Sequence, residues 1–349
     1  MEDKTMRKIL VLLTVAILFA SAAPALAAEL LGAGATFPYP YYSKLFDTYN
    51  KEKGVKINYQ AIGSGGGIRQ LLQKTVDFGG TDAFMSDKKI QEAGAEILHI
   101  PTCLGAVVVT YNLPTSPVLK LTPDIIADIF MGNIKAWNDE RIAKINPGIT
   151  LPAMNIVVVH RSDGSGTTFI FSDYLSKVNR QWKENVGRGK SLNWPTGLGA
   201  KGNPGVAGLI KQVPGSVGYA ELIYALSNNM PVSIIQNKSG TFVKPSINSV
   251  SLAANVPLPD DTRVTITDTD AKEGYSISGF TWLIFYKEQS YNSRTMEKAT
   301  ALMNLLMYTV HEGQKLAEPL HYAPLPAEAV KKAETIIKSA TFNGNKIVK

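Results

Sequence analysis

Ile156-Val157-Val158-Val159-His160-Arg161-Ser162-Asp163-Gly164-Ser165-Gly166-Thr167-Thr168-Phe169 decides the fold of this chain. The apolar run that ends at His160 reads as a strand buried on both faces, the pattern of a sheet covered by helices. The next residues are small or hydroxylated, and a helix follows through Phe169, Phe171 and Tyr174. The first turn of a helix carries unpaired N–H groups and a partial positive charge. Glycine lets the backbone approach a bound group, and Ser and Thr add donors. A strand, a Gly/Ser loop and a helix start together make a cradle for an anion. Two further loops have the same composition, Gly32 to Pro38 (GAGATFP) and Ile62 to Gly67 (IGSGGG), and each also leads into a helix candidate.

Outward from these loops, short β-type runs alternate with helical patterns. Val55 to Ala61, Ala106 to Tyr111 and Trp282 to Tyr286 read as strands. Tyr41 to Lys53 reads as a helix stopped by Gly54, and Arg294 to His311 as a longer one. Thr122-Pro123-Asp124 supplies a cap, a first-turn proline and an acid ahead of Ile125, Ile126 and Ile129. This alternation argues for α/β sheets with crossover helices.

The loops complete no nucleotide or nucleophile motif. Ile68 breaks the dinucleotide fingerprint begun at Gly63, and Glu184 stands where a P-loop ending at Gly189-Lys190-Ser191 needs glycine. Gly164 adjoins Ser165, and Asp163 precedes it, so no nucleophile elbow forms. The charged residues say more. Arg161 ends the buried strand, and a fixed guanidinium offers a planar fork to an oxyanion. Asp163, two residues on, is placed to hold that fork. Asp82 follows Val76 to Thr81 at a strand end. A carboxylate near an anion makes sense if the ligand carries a proton, because an ionised carboxylate only accepts hydrogen bonds.

Met1 to Lys8 is basic, Ile9 to Ala20 is apolar without charge, and Ala25-Leu26-Ala27 is a small-x-small site. Residues 1–27 therefore read as a secretory signal peptide cleaved after Ala27, which implies export from the cytoplasm. Cys103 is the sole cysteine, so an internal disulfide and a thiolate cluster are both excluded. The net charge is +7, with basic residues scattered and no basic–aromatic patch, which argues against nucleic acid. His99, His160, His311 and His321 are far apart in sequence. No clustered carboxylates and histidines for metal-assisted hydrolysis and no nucleophile–base pair are apparent, so the chain reads as a binder without catalytic residues. The acidic stretch Asp260 to Asp270 reads as a solvated loop.

GAGATFP, IGSGGG, Val76 to Asp87 (VDFGGTDAFMSD) and Arg161 to Thr167 (RSDGSGT) resemble, in order and spacing, the phosphate-binding proteins of the bacterial phosphate ABC importer. Leu151 to His160, Lys177 to Trp182 and Gly197 to Asn203 (GLGAKGN) fit the same family. The resemblance implies a two-lobed periplasmic-binding-protein fold of type II, with one inorganic phosphate in the cleft. It implies a first lobe of 28–104 plus 275–349 and a second of 105–274, with crossings near Pro101 to Gly105 and Lys272 to Ser278. By family pattern the phosphate is held by backbone N–H groups of Ala35 or Thr36 and of Phe37, with the Thr36 hydroxyl, by Ser64, and by Arg161, Ser165, Gly166 and Thr167. Asp82 accepts the ligand's proton, and Asp163 partners the arginine. No cofactor and no metal are implied. The implied partners are the membrane permease subunits, served by a monomer. Gly65 stands where relatives often have a second serine, Thr81 where some have serine, and His160 replaces a common arginine. A phosphatase and a receptor for another tetrahedral oxyanion are the alternative readings.

Overall fold

A computed structural model describes residues 29–348. The leader at 1–27 and its cleavage site lie outside the described residues. The first stretch runs β1 (Glu29–Gly34), α1 (Tyr39–Lys53), β2 (Lys56–Ala61), α2 (Ser64–Leu72), β3 (Phe78–Thr81), α3 (Asp87–Glu92) and β4 (Ile97–Tyr111). The middle runs β5 (Lys120–Leu121), α4 (Pro123–Met131), α5 (Glu140–Ile145), β6 (Val157–Arg161), α6 (Gly166–Val178), α7 (Arg180–Asn185), β7 (Leu198–Ala200), α8 (Gly202–Gln212), β8 (Ser216–Glu221) and α9 (Leu222–Ser227). It continues with β9 (Ile234–Gln236), β10 (Phe242–Val243) and α10 (Ile247–Ala253). The chain closes with β11 (Ser278–Tyr286), α11 (Met296–Val310), two short 3₁₀ turns, α12 (Ala327–Lys338) and a small hairpin.

Eight strands form one sheet in the order β2-β1-β3-β11-β4-β8-β6-β7. β1 pairs in parallel with β2 and β3, and β6 in parallel with β7 and β8. β4 joins the two halves. Its residues up to Ala106 pair with β11, and those from Val107 pair with β8. The chain returns beside this point, where the Val107 N–H donates to Ile277 O at 2.8 Å. Every residue of β11 is buried, as expected of a strand covered on both faces.

Local signals explain the helix ends. Gly54 adopts φ 70° after α1 and donates its N–H to Asn50 O, a left-handed cap that favours glycine. Thr122 Oγ1 accepts the Ile125 N–H at 3.4 Å at the start of α4. Two sequence expectations need correction. β4 begins nine residues before Ala106, because the polar residues and Pro101 that disguise it sit in a strand enclosed on both sides. The acidic stretch is only partly solvated. Thr262, Ile266 and Thr267 are buried, and Thr262 O accepts the Trp282 indole N–H at 3.1 Å.

Candidate functional site

β1, β2 and β3 of one half of the sheet and β6 of the other, which runs the opposite way, deliver their C-terminal ends to one place, the position where open α/β sheets bind ligands. β1 leads through Ala35, Thr36 and Phe37 into α1, and β2 leads into Ser64 at the start of α2. β3 ends beside Asp82, and β6 ends at Arg161 before Ser165, Gly166 and Thr167 open α6. The two walls touch across the cleft. The Gly65 N–H donates to Gly164 O at 2.8 Å. A Cβ on Gly166 would overlap Ser64 Oγ and lie 2.5 Å from Asp82 Oδ2, so only glycine lets the walls meet here. A Cβ on Gly65 would approach Gly164 Cα to 3.1 Å, which gives a local reason for glycine where relatives often have serine.

Arg161 is buried and held as a fork. Its Nε donates to Asp163 Oδ1 at 2.7 Å and its Nη2 to Asp163 Oδ2 at 2.6 Å. Nη1 donates to Thr167 Oγ1 at 3.3 Å. Asp163 Oδ1 also accepts the Gly202 N–H at 2.9 Å. Burial pushes the Asp163 carboxyl up, but its bonds to Arg161 outweigh burial and hold it below the usual carboxylate range.

Ser165 caps α6 by accepting the Thr168 N–H at 2.9 Å. That bond uses an acceptor site and leaves its hydroxyl proton available to donate. The N–H groups of Gly166 and Thr167 sit in the first turn of α6, where a helix has no partner for them. On the opposite wall, the N–H groups of Thr36 and Phe37 have no partner among the described residues. Ala35 differs from the expectation that its amide serves the ligand. Its N–H donates to Gly80 O at 2.9 Å, which takes it out of the donor set. The Phe37 carbonyl accepts the Tyr322 hydroxyl at 2.6 Å, which fixes the loop from behind.

Asp82 stands on the same wall as Ser64, and it is buried. Oδ1 accepts the Thr281 hydroxyl at 2.7 Å, and Oδ2 lies 3.4 Å from Ser64 Oγ. Burial raises its pKa to about 7, against the opposing pull of Thr281, Arg161 and Ser64. A pocket rich in donors thus contains one carboxyl poised to exchange a proton near neutrality. His160 stacks on Trp194 with ring centroids 4.7 Å apart, and burial lowers its pKa, so it adds little positive field to the rim.

Sequence reasoning missed five partners, Tyr322 behind Phe37 among them. Thr281 reaches Asp82 from 199 residues away. Tyr219 OH accepts the Arg161 N–H at 3.2 Å, and Tyr224 OH donates to Thr36 O at 2.6 Å. Asn203 lies between Thr36 and Thr167, bonded to both. Only Asn203 left a trace in the sequence, as the last residue of GLGAKGN.

A family profile described as a PBP superfamily domain matches residues 20–311. The phosphate-binding protein PstS of Pasteurella multocida is 42% identical over 325 residues, covering 91% of this chain and 93% of that one. The phosphate-binding protein PstS of Methanocaldococcus jannaschii is 41% identical, covering 85% and 82%. Among solved structures, the high-affinity periplasmic phosphate-binding protein PfluDING, bound with phosphate, aligns at a TM-score of 0.71 and 20% identity, over 88% of this chain and 93% of that one. The phosphate-binding protein of Stenotrophomonas maltophilia aligns at a TM-score of 0.67 and 16% identity, over 88% and 94%. These likenesses show an α/β fold of the two-lobed periplasmic-binding-protein class, type II.

Proposed function

The chain belongs to the PstS family of phosphate-binding proteins within the PBP superfamily, and on that premise we propose how its cleft works. The protein is a solute-binding component of phosphate transport that binds inorganic phosphate. The observation that carries the reading is the pairing of many donors with the buried carboxyl of Asp82. In our reading, Thr36 and Phe37 bind from one wall with Ser64, and Arg161, Ser165, Gly166 and Thr167 bind from the other. Asp82 accepts the P–OH of the ligand, and Asp163 keeps the Arg161 fork in place. Binding and release, not turnover, are the function. Calorimetry on protein freed of copurified phosphate by unfolding and refolding should give one phosphate per chain. No heat from refolded protein would refute the reading.

We assign 28–104 with 275–349 to one lobe and 105–274 to the other, hinged where β4 changes partners. Ligand groups from both walls then favour the closed form by contacts the open form lacks. Membership of the family supports delivery to the permease subunits of an ABC importer, which we assign to a monomer. The leader supports periplasmic location, and N-terminal sequencing of exported protein should begin at Ala28. A first residue of Met1 would remove that assignment.

A further inference from the structure

Asn203 is fully buried in the first turn of α8 and meets both walls of the cleft. Its Oδ1 accepts the Glu221 N–H at 2.9 Å. An N–H only donates, so this contact fixes which end of the amide is oxygen and which is nitrogen. The two protons of Nδ2 are then both assigned. One goes to Thr36 Oγ1 at 2.9 Å and the other to Thr167 Oγ1 at 3.0 Å.

Counting acceptor sites on those hydroxyls gives the consequence. A hydroxyl has one proton and two lone pairs. Thr36 Oγ1 accepts from Asn203 Nδ2 and also from the Asn203 backbone N–H at 3.1 Å. Thr167 Oγ1 accepts from Asn203 Nδ2 and from Arg161 Nη1 at 3.3 Å. Both oxygens are saturated as acceptors. Each hydroxyl can now only donate, and in a dry cleft its proton must find a partner.

We propose that Asn203 is a positioning residue that compels the Thr36 and Thr167 hydroxyls to donate to the bound phosphate. This rests on the reading of the cleft as a phosphate site. Without Asn203 each hydroxyl regains an open lone pair, can turn its proton elsewhere, and presents repulsive oxygen density to the anion. Asn203 thereby sets the polarity of two ligand contacts without touching the ligand.

The test is a double-mutant cycle read by phosphate titration of the secreted chain. Asn203→Ala in the native background should weaken binding by about thirtyfold, the scale of hydrogen bonds to a charged group. In a Thr36→Val/Thr167→Val background the same change should cost less than about threefold, because the hydroxyls it acts through are gone. Thr167→Val alone should show a coupling of at least about fivefold with Asn203→Ala. Thr167 and Asn203 lie on the same side of the cleft, so closure cannot produce that coupling. Equal losses in all backgrounds, or coupling to Thr36 only, would overturn the proposal. Where Asn203→Ala loses cooperative melting, Asn203→Asp keeps the acceptor for Glu221 N–H, and its second oxygen, which only accepts, draws the Thr36 and Thr167 protons away from the ligand, so its loss should likewise shrink in the Val background. Native protein that binds no phosphate would sink the phosphate reading itself.

Discussion

Asp82→Asn is expected to lower the preference for phosphate over sulfate by about four orders of magnitude, the discrimination typical of a site built around one ligand hydroxyl. Phosphate near neutral pH keeps a proton and sulfate keeps none. Asp82 is buried and already satisfied at Oδ1 by Thr281. Its other oxygen is matched by a P–OH and repelled by an unprotonated oxygen. An amide can turn its NH₂ to either anion, so the variant loses the basis for rejection. Arsenate, which is protonated like phosphate, should compete in both proteins. Competition titrations with the three anions decide it, and an unchanged phosphate-to-sulfate ratio would place selectivity elsewhere. The same variant should be more stable than the native protein without ligand. The Asp82 pKa is raised to about 7 in the folded state, so its contribution is fully present below the unfolded value near 4 and is lost as pH rises through about 7. The advantage of asparagine is therefore largest above about pH 7, on the order of 4 kcal/mol, and fades toward about pH 4. Melting temperatures that differ equally at both ends would contradict the assignment of that shift to Asp82.

Arg161→Ala should weaken phosphate binding by ~2–5 kcal/mol, the usual cost of truncating one partner of a buried charge pair. The guanidinium is almost wholly enclosed, where charge-assisted bonds are strong. The loss has three parts. The ligand loses a forked donor, Thr167 loses one of the donors that polarise its hydroxyl, and Asp163 is left with the Gly202 N–H. Arg161→Lys keeps the charge but not the fork, and should recover only part of the affinity. Titration of both variants, with unliganded melting as a folding control, tests this. A loss below about tenfold in the alanine variant, ~1.4 kcal/mol, would show that the backbone donors dominate.

Much of this site was legible because its donors are local. Ser165, Gly166, Thr167, Arg161 and Asp163 lie within one strand–loop–helix segment, and their chemistry follows from adjacency. The Arg161–Asp163 pair needed only a spacing of two. Thr281, Tyr224 and Tyr322 were illegible for the opposite reason. They sit on elements ordinary in composition and gain meaning only when the sheet brings β11 beside β3 and folds α9 over Thr36. Ala35 marks a different limit. Its loop was identified, but which of three successive amides turns to the cleft depends on the bond to Gly80, a backbone choice no side chain announces. In the fold, β6 and the C-terminal half of β4 were legible as apolar runs. The first half of β4 was hidden by His99, Pro101 and Thr102; His99 Nε2 accepts the Met85 N–H, and the Thr102 hydroxyl bonds Tyr42 of α1 and Thr281 of β11.

The place of β11 bears on how the chain can be assembled and shortened. β3 and β4 follow each other in sequence, yet they are separated in the sheet by β11, which pairs with both. A chain made from its N-terminus holds all of β1 to β10 before the strand between β3 and β4 exists. That half of the sheet stays split until residue 286 is available, whereas β6, β7 and β8 can already pair. Contacts of such long sequence separation are made late and at the highest loop-closure cost. A truncation before Ser278 therefore removes an interior strand and with it Thr281, so the last fifth of the chain is not a dispensable tail but the keystone inserted at the end.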